Sequence, residues 1–282
     1  MADSVHDEEV LADAPANPTP EVEMAGDGEG EEEPSGRAAL PFAEAEVEEG
    51  ETPRPSFTSF LTSPIVTLLV GNSGQETVIT AHQALLTQSP YFREACAEFT
   101  DDGSPRQIDL ADHDIDAMGC FLEFLYTGDY FPKKIPGQRQ LETDPSLPKV
   151  DETGDQLLKH ARVYTLAEKF QMPQLKQLSS SKIHCVNSTA KGEIAYARYV
   201  YAHTPKEDNS IRAPVAKFWA MRSHTLRAEA EEEFRALCLE HPQFGYDVLT
   251  LVLDEKLKRE RNDKLAPAVG SARKRARHSS NA

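Results

Sequence analysis

The sequence predicts an α+β domain, in which a small sheet is flanked by helices, followed by an all-helical extension and bounded by disordered termini. Two short β-branched runs at residues 65–70 and 77–80 predict the first strands. Between residues 80 and 188 apolar side chains recur mainly at helical spacing, with one further strand pattern at residues 107–110. Beyond residue 188 every apolar pattern is helical, which predicts the extension.

Each strand is supported by its own residues. Residues 65–70 read IVTLLV and residues 77–80 read TVIT, with glycines at positions 71 and 74 between them. Glycines around Asn-Ser are typical of a hairpin turn, so we expect these strands to pair antiparallel. Residues 107–110 (QIDL) alternate polar and apolar side chains and predict a third short strand.

Two short helices are predicted after the second strand. Thr80 and Gln83 have the spacing of a capping box, which would satisfy the free amides at the start of the first helix. Ser89-Pro90 would end that helix and begin the second, because proline costs little at a first helical position. The apolar side of the second helix would consist of Tyr91, Phe92, Ala95, Cys96 and Phe99.

A third helix is predicted after the third strand. Acidic residues at positions 112, 114 and 116 favour the amide end of a helix, and Gly128 suits its carboxyl-terminal end. We expect one buried face, formed by Ile115, Met118, Phe121, Leu122 and Leu125.

The remaining helices follow a proline-rich interruption. Residues 132–154 have no apolar period, and we interpret them as a mobile insertion loop. Thr153 and Gln156 repeat the capping-box spacing, and Pro173 would open the next helix. These two helices would bury Leu157, Ala161, Tyr164, Leu166, Ala167, Phe170, Leu175, Leu178 and Ile183. In the extension, helices are predicted over 194–201, 213–221, 228–238 and 246–257, with Tyr201, Phe218 and Trp219 as core residues.

The charge is concentrated in the first 55 residues. They carry 17 Asp and Glu against two Arg, a net charge of −15 out of −17 for the 282-residue chain. This proline-rich segment has no apolar period and cannot offset the entropy of ordering, so we expect residues 1–55 to be a disordered acidic tail. A solvated spacer is favoured over an acidic recruiting segment, which would need more aromatic residues. Residues 263–282 are expected to form a disordered basic tail.

Several classes of protein are disfavoured by composition. The cysteines are far apart and form no C-x-x-C pair, which argues against zinc and redox motifs, so we expect reduced core residues at Cys96, Cys120, Cys185 and Cys238. No signal peptide is evident, and no apolar run approaches the ~20 residues of a membrane-spanning helix. We therefore expect a soluble protein of the nucleus or cytoplasm, with no metal and no cofactor.

The order and spacing of three segments resemble the BTB/POZ family. These are "AHQALLTQSPYFREAC", "FLEFLYTGDY" and "LLKHARVYTLAEKFQMPQLKQL". The resemblance is carried by Ala81, His82, Leu85, Leu86, Ser89, Pro90, Tyr91, Phe92, Leu125, Tyr126, Thr127 and Gly128. It implies a BTB/POZ domain over residues 56–188, including the insertion, and a helical extension over 189–262 that is similar to the tail of fungal members.

The resemblance implies a protein that binds other proteins and does not convert substrates. It gives His82 a packing role between the second strand and the first helix, with its ring hydrogen-bonded to backbone. No G-x-S-x-G, H-E-x-x-H or G-x-x-x-x-G-K-[ST] motif occurs in the chain, so the expectation is that the protein is not an enzyme.

Two family surfaces differ in this chain. Transcription-factor members carry a charged pocket at the dimer groove, but the matching positions here hold Ile65 and Gln83, so corepressor capture there is in doubt. In the dimers of long-form members, the two subunits exchange an N-terminal helix and strand that precede the core. Here residues 55–64 are too few to form both elements, at ~1.5 Å per residue for a helix and ~3.3 Å for a strand. Self-association through helical faces stays open.

The sequence is therefore compatible with three functions. The first is a scaffold or self-association module. The second is a substrate adaptor for a cullin-based ubiquitin ligase, with residues 114–130 and the following helices as the contact region, although core packing explains its apolar positions equally well. The third is a nuclear regulator that acts through DNA-bound partners.

Two basic clusters bear on the third function. Together they resemble a bipartite nuclear import signal, formed by Lys258, Arg259, Arg273, Lys274, Arg275 and Arg277. A solvated helix end followed by a basic tail explains them equally well. The sequence argues against direct nucleic-acid binding, because zinc-finger spacing and interleaved aromatic residues are both missing.

Overall fold

The computed structural model describes residues 56–72, 74 and 76–265. The elements in chain order are α1 (Phe57–Leu61), β1 (Ile65–Val70), β2 (Thr77–His82), α2 (Gln83–Leu86), α3 (Pro90–Ala97), β3 (Gln107–Leu110), α4 (Ile115–Thr127), α5 (Asp155–Lys169), α6 (Pro173–Ile183), α7 (Ala190–His203), α8 (Asn209–Glu229), α9 (Glu231–Glu240) and α10 (Pro242–Leu265). The predicted acidic tail lies outside the described residues, and α10 extends three residues into the segment predicted as a basic tail.

The sheet has the strand order β2-β1-β3. Strands β1 and β2 pair antiparallel as predicted, with Ile65 opposite His82, and β3 pairs parallel to β1, with Val70 opposite Leu110. Successive side chains of a strand point to opposite faces of the sheet, and one face packs against the helices. The buried side chains of the sheet are those of Val66, Leu68, Val70, Ala81, Ile108 and Leu110. The bounds of β1 and β3 are those predicted, and β2 is two residues longer.

Three phenylalanines form the centre of the first hydrophobic core. The ring of Phe92 lies 5.5 Å from that of Phe121 and 4.7 Å from that of Phe170. Ser89 fixes this arrangement, because its hydroxyl accepts a bond from the Phe92 amide and donates to the Phe170 carbonyl at 2.7 Å. The sheet, α3, α4 and the end of α5 are thereby held together.

Helix α4 begins and ends as its sequence predicts. The Asp114 carboxylate accepts a bond from the Ala117 amide at 2.9 Å, and Gly128 has a φ of 81° at the other end. Its predicted buried face is wrong at one position, since Ile115 is 38% exposed. At 3.6 residues per turn, Ile115 lies about 70° from the centre of the stripe formed by the other four residues.

Both predicted capping boxes are wrong. Thr80 belongs to β2, which runs directly into α2, and His82 at the start of α2 makes no capping bond with its side chain. At α5 the Thr153 hydroxyl accepts only a 3.4 Å bond from the Asp155 amide and none from Gln156, and the main cap comes from Asp151. The buried Asp151 carboxylate accepts bonds from the amides of Gly154 at 2.9 Å and Leu157 at 3.0 Å. A carboxylate held by the preceding loop therefore outcompetes the local motif.

Residues 132–154 contain no named helix or strand, but they are tied to the turn between α6 and α7. The Asp151 amide donates to the Asn187 carbonyl at 2.8 Å, and the Ser188 hydroxyl donates to the Asp151 carbonyl at 2.8 Å. Gly154 and Gly192 touch at this junction, since a Cβ on Gly154 would lie 2.7 Å from the Gly192 carbonyl. Whether the insertion is mobile stays a prediction.

The extension has a second hydrophobic core centred on Trp219. The indole ring stacks on Phe234 at 5.2 Å and meets Phe244 edge-on at 6.0 Å. Helix α5 serves both cores, because Leu157, Ala161 and Tyr164 lie in this second cluster. Of the predicted core residues Trp219 and Tyr201 are buried, whereas Phe218 is only partly buried. The helix predicted over 228–238 is in fact interrupted at Ala230.

Candidate interaction surfaces

The junction between β2 and α2 is closed by two side chains, His82 and Tyr126. The Tyr126 hydroxyl accepts a bond from the His82 amide at 3.1 Å and lies 2.6 Å from Nδ1 of the imidazole. The ring of the half-buried His82 therefore bonds to a side chain and not to backbone, which corrects the expectation. This contact joins α4 to the end of the sheet.

The other motif residues gather around the same core. Ala81, Leu85, Leu86, Ser89, Phe92 and Leu125 are buried, and Tyr91 is packed against them. Pro90 opens α3. At the end of α4 the Thr127 hydroxyl donates to the Glu123 carbonyl at 2.8 Å, and Gly128 follows. Except for Thr127 and Gly128, which are exposed, these side chains hold the fold and present little surface to a partner.

Helix α1 presents apolar side chains outward. Phe57 is 53% and Leu61 43% exposed, four residues apart on one side of a helix with no buried residue. Ile65, at the start of β1, is 50% exposed. We call these three residues the N-terminal apolar surface. The apolar residues of "SFTSFL" recur at helical spacing, which is the sequence signal for this helix.

The chain after α1 anchors this surface to the domain. The Ser63 hydroxyl accepts a bond from the Ala84 amide at 3.1 Å, and the Gln83 amide donates to the Pro64 carbonyl at 2.8 Å. The Gln83 side chain accepts a bond from Arg106 at 2.8 Å. Gln83 is thus a neutral side chain bound to Arg106, the residue just before β3.

The start of α4 borders a second surface. A groove of about 510 Å³ lies between the turn before α4, helix α5 and the turn between α7 and α8. Exposed Ile115 follows directly after Asp114, a residue that lines the groove and forms an ion pair with Arg162 at 3.3 Å. His113 lines the groove, and its Nε2 has no hydrogen-bond partner among the described residues. Burial, and secondly Lys169, lower the pKa of His113.

Charged groups at the far end of the groove are paired. Lys176 contacts Glu168 at 2.6 Å and Asp208 at 3.2 Å, and the Tyr164 hydroxyl donates to Asp208. Burial alone would raise the pKa of Asp208, but hydrogen bonds from Ser210, Tyr164 and Lys176 lower it overall. Asp208 is therefore an ionised structural group that joins α5, α6 and α8.

The basic clusters lie only partly within the described residues. Lys258 and Arg259 are exposed on α10, and Arg259 contacts Glu255 at 3.4 Å. The second cluster lies outside the described residues and comprises Arg273, Lys274, Arg275 and Arg277. The import signal stays a prediction.

Within residues 56–72, 74 and 76–265, no group of His, Cys, Asp and Glu is arranged to hold a metal ion. None of the helices in this part of the chain combines the length and the apolar character needed to cross a membrane. All four cysteines are free. Cys96 and Cys120 are buried and Cys238 packs, partly buried, against the second core, so the core expectation is wrong only for Cys185. Burial raises the pKa of the Cys120 thiol to about 11.

Known proteins were compared with this chain. No curated protein matches it. The family model described as BTB/POZ domain matches residues 65–185, from the first residue of β1 to just beyond the end of α6. The matched segment contains the sheet, the His82 junction and the three-phenylalanine core. The chain therefore carries a BTB/POZ domain, a module through which proteins bind other proteins.

Proposed function

We propose that this protein is a non-catalytic scaffold that self-associates through the N-terminal apolar surface of its BTB/POZ domain. The observation that carries the proposal is the outward exposure of Phe57 and Leu61 on a helix that buries none of its own residues. BTB/POZ domains bind proteins and form oligomers, so a surface for a second copy accords with the family.

The physics of α1 supports this assignment. A helix of five residues is too short to be stable by itself in water, because helix nucleation is costly. Exposed apolar side chains so placed favour contact with another apolar surface. A two-fold contact would use Phe57 and Leu61 of both copies, so each side chain contributes twice to the buried area.

The surroundings of His82 support a role without catalysis. Its Nδ1 is engaged by Tyr126, a phenol that also accepts the His82 amide. A general base needs a nucleophile or a water site beside it. The geometry of this junction serves packing.

The test is the molar mass of the full chain by light scattering over a wide range of protein concentration. Wild type is expected to move from monomer towards dimer as concentration rises, whereas the double variant Phe57→Asp/Leu61→Asp stays monomeric. Met221→Asp/Leu239→Asp is the matched control, since these side chains are 71% and 72% exposed elsewhere. A monomeric wild type at every concentration, or an unchanged double variant, would refute the proposal.

A second candidate function is that of a cullin adaptor, and Ile115 is the observation that favours it. This isoleucine is exposed at the start of α4, within the predicted contact region and beside the 510 Å³ groove. Co-purification with a cullin, lost in Ile115→Asp/Asp116→Arg and kept in Met221→Asp, would support this function. No co-purification with wild type would exclude it.

The third candidate function, that of a nuclear regulator, rests on the exposure of Lys258 and Arg259 and on the sequence of the basic tail. Deletion of residues 270–282 should move a fluorescent fusion of the protein out of the nucleus. An unchanged cellular distribution would remove the support for this function.

A further inference from the structure

A cavity of about 280 Å³ lies between the turn after α6 and helices α7 and α8. Its apolar walls are Leu157, Ile183, Val186 and Val215. This volume is just below the range of about 300–1,000 Å³ that is usual for small-molecule pockets. The cavity thus suits a group the size of a side chain.

Two guanidinium groups face this cavity. The Arg222 guanidinium lies 4.5 Å from the centre of the Phe218 ring, and Arg139 Nε donates to the His184 carbonyl at 3.2 Å. Within the described part of the chain neither arginine has a carboxylate within ion-pair distance. A guanidinium that is held by stacking or by one bond keeps its other N–H groups available for an oxyanion.

Tyr196 provides an independent indication of a ligand. It is only 5% exposed and lines the cavity, yet its hydroxyl has no hydrogen-bond partner among the described residues. This hydroxyl is not among the fully enclosed polar atoms that lack a partner, so it reaches the accessible surface that lines the cavity. The cavity is where a partner for this hydroxyl can enter.

Glu193 lies one helical turn before Tyr196 and also lines the cavity. Burial raises the pKa of its carboxyl to about 7, although Arg222 acts in the opposite direction. Near neutral pH this carboxyl therefore carries on average less than one full negative charge, whereas the two guanidinium groups together carry two positive charges. The cavity keeps a net positive charge.

We infer that this cavity anchors an anionic side chain, a carboxylate or a phosphate, of a partner protein. The oxyanion accepts bonds from Arg222 and Arg139 and from the Tyr196 hydroxyl, while the apolar walls cover the aliphatic stem of the incoming side chain. A lysine or arginine would meet two like charges and is rejected. The site shares no residue with the N-terminal apolar surface.

Binding depends on pH through Glu193. A bound anion favours the neutral carboxyl, so affinity rises as pH falls from about 8 to about 6.5. The other titratable or charged groups that face Glu193 or the cavity are Arg222, Arg139, Tyr196, His184 and Asp151. Burial, followed by Arg139 and Lys134, lowers the pKa of His184, so its ring stays neutral.

The experiment uses fluorescein-labelled capped peptides that differ only at one central position, which is Glu, phosphoserine, Gln or Lys. Fluorescence polarisation measures their binding to the full chain. The Glu or the phosphoserine peptide should bind at least about tenfold more tightly than the Gln peptide, since a charge-assisted hydrogen bond is lost in the latter. The tighter of the two acidic peptides identifies the source of the anion.

Four variants test the residues. Arg222→Ala should weaken binding at least about tenfold, and Tyr196→Phe, which keeps the ring, should weaken it several-fold. Arg198→Ala is the matched control, because Arg198 contacts Glu240 on the surface at 2.5 Å and does not line the cavity. Glu193→Gln should bind the Glu peptide, whose own carboxylate does not titrate here, with no dependence on pH in this range.

Several results would overturn the inference. These are no binding of either acidic peptide, equal binding of the Gln or Lys peptide, and equal affinities of Arg222→Ala and Arg198→Ala. Persistent pH dependence in Glu193→Gln would also contradict it. If Arg222→Ala does not fold, as judged by circular dichroism, Tyr196→Phe decides, and unchanged affinity in that variant counts against the site.

Discussion

Lys182 is completely buried, and its ammonium group lies 3.7 Å from the centre of the Tyr130 ring. The same group donates to Asp129 at 2.5 Å, to the Pro132 carbonyl at 3.0 Å and to the Tyr130 carbonyl. All three of its hydrogens are therefore used. Helix α6 is thereby tied to the segment that follows α4.

Substitution of this lysine should be strongly destabilising. Lys182→Met leaves Asp129 and two backbone carbonyls without their donor, and removal of one partner of a buried charge pair costs about 3 kcal/mol. Urea unfolding followed by circular dichroism measures the change. Lys191→Met is the control, since Lys191 is exposed and pairs with Glu233 at 3.4 Å. Similar values for both variants would show that the buried contact adds no stability.

A glycine contact joins the insertion to the extension. A Cβ on Gly192 would lie 2.2 Å from Ser188 Oγ and 2.7 Å from the Asp151 carbonyl. Gly192→Ala should therefore destabilise the protein by about 1–3 kcal/mol, as overpacking does. Gly119→Ala on α4 has open space around it and should stabilise by up to about 1 kcal/mol. Thermal unfolding compares the two, and a neutral Gly192→Ala would contradict the close contact.

The buried His160 predicts a loss of stability at acid pH. It lies 2.9 Å from the Tyr130 hydroxyl, and burial lowers its pKa to about 3. Between about pH 3 and 6.5 the unfolded state binds the proton and the folded state does not, so stability falls as pH falls through this range. At pH 5 the loss relative to pH 7 should be about 2 kcal/mol.

The difference between wild type and His160→Gln isolates this effect from other titrating groups. Urea unfolding at a series of pH values should show the two proteins converging in stability as the solution becomes acidic. A difference that does not change with pH would show that the pKa of His160 is the same in the folded and unfolded states, and so that burial does not lower it.

Glu193 predicts the opposite dependence. Burial raises the pKa of its carboxyl to about 7 in the folded protein, so the folded state binds the proton more tightly than the unfolded state does. Stability from this group is present below about pH 4.5 and is lost as pH rises to about 7. The full loss is on the order of 3 kcal/mol.

Glu193→Gln removes this dependence. The variant should be more stable than wild type at pH 8, and the advantage should disappear near pH 5. Thermal unfolding of both proteins in matched buffers provides the comparison. A variant that is less stable at pH 8 would show that ionised Glu193 is stabilised by the arginines around it.

Local signals in the sequence predicted the elements well. The β-branched run of β1, the alternation of β3 and the Ser89-Pro90 start of α3 depend on residues a few positions apart, and the structure confirms them. Asp114 and Gly128 likewise marked the ends of α4. The motifs of the β2–α2 and α4 segments were sufficient to identify the family, and the family identifies the domain as a protein-binding module.

Contacts between distant segments were not predictable in this way. The bond from Tyr126 to His82 spans 44 residues, and Lys182 reaches Asp129 across 53. Of the candidate surfaces, the one on α1 could be predicted, because the apolar residues of "SFTSFL" recur at helical spacing. No spacing rule links Arg139, Glu193 and Arg222, which come from three separate segments of the chain.

The sequence by itself determined most of the elements, though not α1 or the break at Ala230, together with the starts of α3 and α4 and the class of module, because these follow from neighbouring residues through backbone geometry and periodicity. Only the tertiary structure decided the parallel pairing of β3 with β1, the choice of Asp151 over Thr153 as the cap of α5, and the charges that face the cavity. The physical reason is that burial and electrostatic pairing depend on distance in space, and packing sets that distance between residues remote along the chain.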